Sequence, residues 1–282
     1  MIILKLIIWN IFKGKYQNTC EMGSLNISTM TAITKMPCHI DLQSLYNNIR
    51  ITNDIKYVEL SKDMCKGSSS KKQKKKRKDK KQKVFFNQLT FNVFHRKIIN
   101  IKVFNNGKIQ MTGLKRLEWG KEAVNKLIDS IFESESLNTS KALIDNQTPY
   151  SEFKEYVLSN YSIVLINSNF ELPHKINRDS LHYHLIEEDV FSSYEACNYP
   201  GVNIKYYYNQ ANPLNNGVCP CECQCSGKGL GKGFGDCKRV TIAAFYSGSI
   251  IITGARDFKQ LFCARDFIQS FIKTHESSIA IK

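Results

Sequence analysis

Two segments of this 282-residue chain, 141 positions apart, follow one pattern. Val103–Gly113 reads VFNNGKIQMTG and Ala244–Gly254 reads AFYSGSIIITG, so Phe104 falls on Phe245, Gly107 on Gly248, Ile109 on Ile250, Thr112 on Thr253 and Gly113 on Gly254. The same interval carries Ala123 onto Ala264, Leu127 onto Ile268 and Ile131 onto Ile272. Agreement through a strand, a turn and a following helix marks a tandem duplication, so the chain is expected to fold as two copies of one unit.

Each copy has a readable grammar. Ile98–Phe104 and Val240–Phe245 are rich in branched residues and read as strands. Asn105-Asn106-Gly107 and Tyr246-Ser247-Gly248 supply hairpin turns, and Lys108–Thr112 and Ser249–Thr253 return antiparallel. Helices are expected over Glu118–Phe132 and Phe258–Phe271, where apolar pairs recur at helical spacing. Upstream, Ile27–Thr34 reads as a strand and Leu42–Ile49 as a helix capped by Asp41, with Tyr161–Ile166 and Leu181–Phe191 in comparable places. Phe86–Phe94 and Val202–Tyr208 add one strand each. Each half is thus β–α–β–β–β–α, an α+β unit with helices on one face of an antiparallel sheet.

Successive side chains in a strand alternate between faces. Phe104, Asn106, Lys108, Gln110 and Thr112 therefore share one side, as do Phe245, Ser247, Ser249, Ile251 and Thr253. The opposite set, Ile109 and Met111 or Ile250 and Ile252, is apolar and suited to packing under helices.

The division expected from the duplication is an extension over 1–22, a first repeat over 23–135 and a second over 136–282. The first repeat carries a basic insert at 66–83, and the second a Cys/Gly-rich insert at 209–237. Lys71–Lys83 holds ten basic residues and one acid, and removing it takes the net charge from +15 to +6. The remainder is still basic, which suits a polyanionic partner. The Lys-rich run reads as a solvated segment that either contacts phosphates, serves as a nuclear-import signal or is a tether without a specific task. The 209–237 insert holds six of the fifteen glycines and reads as a long mobile loop. Cys219, Cys221, Cys223 and Cys225 alternate there, with Cys237 beyond them. Because zinc sites usually use pairs two to four residues apart, no metal is expected, although Cys219 or Cys221 with Cys225 and Cys237 could manage one. The apolar N-terminus MIILKLIIWNIF is too short to span a membrane, and no targeting role is expected of it. His182 and His184, beside Glu187, Glu188 and Asp189, read as an exposed helical face. No phosphate loop, nucleophile elbow or other catalytic motif is visible, so the chain is not expected to be an enzyme or to need a cofactor.

The two hairpins resemble those of the TATA-box-binding protein family, TIAAFYSGSIIITGAR most of all. Ser192–Gly201 (SSYEACNYPG) is similar to the family's Ser-Ser-Tyr-Glu-x-x-x-Phe-Pro-Gly, and Ile40-Asp41-Leu42 to its Leu-Asp-Leu. The resemblance spans residues 25–275 in both halves, with departures like those of diverged members encoded by large DNA viruses. It implies a saddle of about ten curved antiparallel strands, with helices on the convex back and the concave face on DNA.

By the same resemblance, aromatic wedges enter the minor groove and unstack base steps, at a few kcal/mol per step for minor-groove proteins of this kind, this family included. Phe104 and Phe245 match one wedge of each half, Tyr199 stands at the second half's other wedge, and Phe86, with Phe85 one register away as the alternative, is the first-half equivalent. The strand face implied to lie on DNA comprises Asn106, Lys108, Gln110, Thr112, Ser247, Ser249, Ile251 and Thr253. Gln110 and Ile251 replace valines, and Ser249 a phosphate-contacting lysine that survives as Lys108. Asn26 and Asn160 lie nearest the family's central asparagines, out of register. Of the positions that hold the B-type initiation factor, Glu195 remains, with Cys197 and Asn198 at the others.

The expected function is minor-groove binding and bending of A/T-rich double-stranded DNA, by a monomer, to nucleate a preinitiation complex. The B-type general initiation factor and RNA polymerase are the implied partners. The place of action is intracellular, in a nucleus or, for a virus, a cytoplasmic factory or virion, with no membrane partner. Two alternatives stand beside this: a nonspecific architectural or packaging protein, and a protein-interaction scaffold on the same fold.

Overall fold

A computed structural model describes residues 25–61, 63–68, 87–138, 141–212, 214–222 and 225–281. The N-terminal apolar run, the Lys71–Lys83 run, Phe86 and Cys223 lie outside the described residues. Among the described residues two compact units divide the chain, one over Ile27–Asn167 and one over residues 168–281 together with residues 25–26.

In the first unit the sheet order is β1 (Asn26–Lys35), β7 (Lys108–Leu114), β6 (Lys97–Phe104), β5 (Gln88–His95), β3 (Ile55–Glu59) and β4 (Cys65–Gly67). Neighbouring strands pair antiparallel. Helix α1 (Leu42–Asn48) follows Asp41, whose carboxylate accepts the Gln43 and Ser44 amides as an N-cap. Helix α2 (Leu117–Leu137) buries Ala123, Val124, Leu127, Ile128 and Ile131. The sheet side that faces the core presents Leu89, Phe91, Val93, Ile99, Ile101, Val103, Ile109 and Met111, all buried. Helix α3 (Tyr150–Ser159) packs Phe153 edge-on to Phe132 of α2, and Thr34 Oγ donates to the Val157 carbonyl at 2.5 Å.

The second unit repeats the plan. Its sheet runs β11 (Ser192–Glu195), β12 (Tyr199–Tyr208), β13 (Lys238–Ala244), β14 (Ser249–Ala255) and β9 (Ser162–Glu171). Helix α4 (Arg178–Glu187) is capped by Asn177, and α5 (Phe258–Thr274) buries Leu261, Ala264, Ile268 and Ile272 over Val240, Ile242, Ile250 and Ile252. Short α6 (Glu276–Ile279) leads into β15 (Ala280–Ile281), which pairs with β10 (Lys175–Ile176). The equivalent first-unit pair is β2 (His39–Ile40) with β8 (Leu143–Ile144).

The duplication is visible in single hydrogen bonds. Met36 N–H donates to Gly107 and Leu172 N–H to Gly248, while Ile40 donates to Asn105 and Ile176 to Tyr246. Gly107 and Gly248 have φ of +79° and +89°, and a Cβ at either would collide with the carbonyl oxygen of Cys38 or of His174. Glycine is required twice, at equivalent points, for both reasons.

The structure extends and corrects the expected elements. Among the described residues eleven strands take part in the main β-ladder, because β3 and β11 add one strand to each unit beyond those expected and β4 extends the first alone. Helix α4 ends at Glu187, four residues before Phe191, because Asp189 takes a left-handed φ of +58° and Ser192 opens β11. Packing and duplication also divide the chain at different places: α3 lies past residue 135 yet packs with the first unit, and β9 spans the division. Among the described residues, no helix is long and apolar enough to cross a membrane.

Candidate nucleic-acid interface

Each sheet has a helix-covered face and an open one, and the ladder register assigns side chains to the open one. In the first unit Thr31 faces Thr112, Thr112 faces Asn100, Asn100 faces Asn92, and Asn92 faces Tyr57. Directly paired residues share a face, so these form one row of amides and hydroxyls across five strands. Asn100 Nδ2 donates to Asn92 Oδ1 at 3.2 Å within it. The next row is Ile33, Gln110, Lys102, Thr90 and Glu59, and beyond it Lys35 faces Lys108.

In the second unit Ile251, Ala243, Asn203 and Ser193 form one row, and Thr253, Thr241 and Lys205 another. Lys205 Nζ donates to Thr241 Oγ at 3.2 Å. Burial, then the neighbouring Arg239, pushes the Lys205 ammonium below the usual lysine range. Burial also lowers Lys238, followed by Arg256 and Arg239. Lys238 lies on the helix-covered side with Val240 and Ile242, whereas Arg239 crowds Lys205 on the open side, where an approaching anion would offset the repulsion.

Phe104 and Phe245 end β6 and begin the β13–β14 turn at equivalent points, each half-buried on the open side. Phe245 meets Tyr199 edge to face, with ring centroids 5.8 Å apart and planes at 63°. Tyr199 is 43% exposed. Gly201 lies beneath this pair, and a Cβ there would touch both rings. The second unit thus holds two adjacent aromatic rings at one end of the open face.

Gln110, Thr112, Ser249, Ile251 and Thr253 lie on open strand faces, and Lys108 is exposed at the start of β7. Asn106 and Ser247 differ from the expectation. They occupy the turns, and their side chains accept the Lys108 and Ser249 amides two residues on. Asn160 is also off the strands: it caps the C-terminal end of α3, its Nδ2 donating to the Tyr156 carbonyl. Asn26 begins β1 and is exposed. Glu195 is exposed at the end of β11, where Asn198 Nδ2 donates to it at 2.5 Å. Thr31, Asn92, Asn100, Asn203, Lys205 and Thr241 were missed as face residues, although period-2 alternation within the expected strands points to most of them.

Two further expectations are corrected. His184 does not sit on a solvated face: its ring stacks on His275 at 4.4 Å and its Nε2 lies 2.9 Å from Ser278 Oγ. The insert before β13 is folded rather than a mobile loop. Its backbone closes through Arg239 N–H to Gly227, Gly229 N–H to Cys237 and Gly231 N–H to Asp236. The sulfurs of Cys219, Cys221, Cys225 and Cys237 converge within 4.8 Å of one another.

Two repeats of an antiparallel sheet, each helix-covered on one face and open on the other, define the TBP fold. The chain superposes on the Methanococcus jannaschii TBP with a TM-score of 0.52 and 17% identity, over 89% of this chain and 99% of that one. It is also similar to a TATA-box-binding protein-like protein of Acanthamoeba polyphaga mimivirus, 29% identical over 204 residues. That match covers 71% of this chain and 51% of the relative, so the chain spans about half the length of the curated protein it matches. No family model matches. The resemblance first carried by the two hairpins therefore holds in both sequence and fold.

Proposed function

We propose that the chain is a DNA-binding protein that applies the open face of each sheet to the minor groove, inserts aromatic side chains between base steps and bends the duplex. One observation carries this reading: equivalent half-buried phenylalanines, Phe104 and Phe245, stand at the ends of open faces made of amides, hydroxyls and cations. The A·T minor groove presents only acceptors, adenine N3 and thymine O2, whereas guanine adds an amino group that obstructs close apolar approach. Asn92, Asn100, Thr112 and Thr253 can donate to those acceptors, and Ile251 suits a groove floor without the amino group. Tyr199 extends the wedge at Phe245, and Phe86 is proposed for the equivalent role in the first half.

On this reading the bent duplex is a platform for transcription initiation, with a B-type factor and RNA polymerase recruited to it, and Glu195 is a contact for the former. The protein acts as a monomer on DNA, at intracellular sites of transcription, without catalysis. Energy transfer between fluorophores at the two ends of a duplex, combined with selection from random duplexes, tests this. Increased transfer with an enriched A/T-rich site supports the proposal. Bending without enrichment indicates an architectural protein, and no salt-dependent DNA affinity indicates a protein-binding scaffold.

A further inference from the structure

The insert between β12 and β13 has chemistry that DNA binding does not use. We propose that Cys219, Cys221, Cys225 and Cys237 are the ligands of a structural zinc ion. Four thiolates around zinc at about 2.3 Å form a tetrahedron with sulfurs about 3.8 Å apart. Here Cys219 lies 3.3 Å from Cys225 and 3.6 Å from Cys237, and Cys221 lies 3.4 Å from Cys237. All four sulfurs fall within 4.8 Å of one another. The described cysteines are free, and these separations are well beyond a disulfide bond of about 2.05 Å.

The sulfurs come from three separate pieces of chain, so local turn geometry alone does not gather them. Cys219 and Cys221 are two residues apart, and both sulfurs reach the same point. Cys225 brings its sulfur to the same point, and Cys237 immediately precedes β13. Left-handed glycines at 217, 227, 231 and 235 turn the chain between them. Asp236 clamps the last stretch by accepting the Leu230 and Lys232 amides, both at 3.0 Å.

A second layer supports the sulfurs. Asn209, 1% exposed, donates Nδ2 to Cys237 Sγ at 3.1 Å, and the Gly235 amide donates to Cys221 Sγ at 3.1 Å. Amide donors of this kind orient thiolate ligands and temper their charge. On binding, four thiols each release a proton and become thiolates, and zinc undergoes no redox change. Four protein ligands leave no open position, so the site is structural. Its effect is to hold the insert against α5, where Gln260 Nε2 donates to the Leu230 carbonyl at 2.9 Å and Gly217 packs on Phe267 and Tyr206.

The test is metal content of the full chain purified without chelator, by inductively coupled plasma mass spectrometry. One zinc per chain is expected, and retained in Cys65→Ser and Cys197→Ser, whose cysteines are exposed outside the cluster. Cys221→Ser and Cys225→Ser should each lose most of it. Should those variants fail to fold, adding cobalt(II) to metal-free wild-type chain gives an independent reading: the sulfur-to-cobalt charge-transfer and tetrahedral ligand-field bands of a tetrathiolate site. Wild-type chain that unfolds cooperatively but holds less than a tenth of an equivalent of zinc and gives no such bands overturns the proposal. Stoichiometric iron in place of zinc overturns the choice of metal.

Discussion

Replacing Phe104 and Phe245 together by alanine separates what the open faces do from what holds the units together. Full burial of a phenylalanine side chain is worth about 1.5–3 kcal/mol. Both rings are half-buried and border solvent, so truncation leaves no sealed cavity and costs about 1 kcal/mol at each site. Phe245 also loses its edge-to-face contact with Tyr199, worth about 0.5–1.5 kcal/mol. The double variant should therefore lose about 2.5–3.5 kcal/mol and unfold cooperatively about 5–14 °C lower. On DNA the loss is of another kind. Wedges that open base steps offset an unstacking cost of a few kcal/mol per step, a figure general to minor-groove proteins of this type, TATA-box-binding proteins included. Without them the duplex should stay straight, with end-to-end energy transfer equal to that of free DNA and affinity at least tenfold weaker, about 1.4 kcal/mol. Bending by the variant equal to that by the wild-type chain would falsify the wedge assignment. So would destabilisation of about 3–5 kcal/mol at either site alone, the signature of a ring sealed in the core.

Further outcomes follow from the same geometry. Lys205→Met removes a half-buried cation whose pKa is pushed down by burial and then by Arg239. Because the unfolded chain holds that proton more tightly, the wild-type lysine weakens the fold below its lowered pKa, and this cost changes only as pH rises through the lysine range, where both states lose the proton. The variant should therefore melt higher at neutral pH, yet bind DNA with a salt slope smaller by about 0.9 if Lys205 meets a phosphate. A lower melting temperature would contradict the burial effect. Asn100→Asp keeps the shape of the amide row but sets a carboxylate against groove acceptors; circular dichroism should be unchanged while DNA affinity falls at least tenfold, about 1.4 kcal/mol. Gly107→Ala and Gly248→Ala each force a side chain into left-handed backbone against a carbonyl, so chemical denaturation should show a loss greater than about 1 kcal/mol for either.

What could be read in the sequence tracks how locally each feature is encoded. The β6–β7 and β13–β14 hairpins were legible because Gly107 and Gly248 are fixed by both backbone sign and close approach. The Asp41 cap was legible because a capping carboxylate acts within three residues. By contrast, β3 and β4 bury few residues at any period, with only Ile55 and Val58 fully covered, and leave little pattern to find. The end of α4 is harder to read, because Ile186 and Phe191 are apolar yet 53% and 60% exposed, and the left-handed Asp189 that stops the helix leaves no strong signal in its residue type. The insert misled most. Its glycines suggested disorder, but four of them are left-handed turn formers. Paired knuckles set the cysteine spacing expected of zinc, whereas Cys219 and Cys221 bring their sulfurs to one point from positions two apart. Within the strand ladders, an interval of 113 residues links Leu89, opposite Val103, to Val202, opposite Ala244. On that interval Phe86 corresponds in sequence to Tyr199.

The most direct test of the open faces asks which groove the protein reads. An inosine·cytosine pair lacks guanine's amino group, so its minor groove resembles A·T while its major groove remains that of G·C. A selected A/T-rich duplex, rebuilt with inosine·cytosine pairs and separately with guanine·cytosine pairs, is titrated at constant salt. Near-native affinity and bending are expected for the inosine duplex, and loss of both for the guanine duplex. Equal loss on both substituted duplexes would mean that binding follows the major groove, and the open faces would need another role.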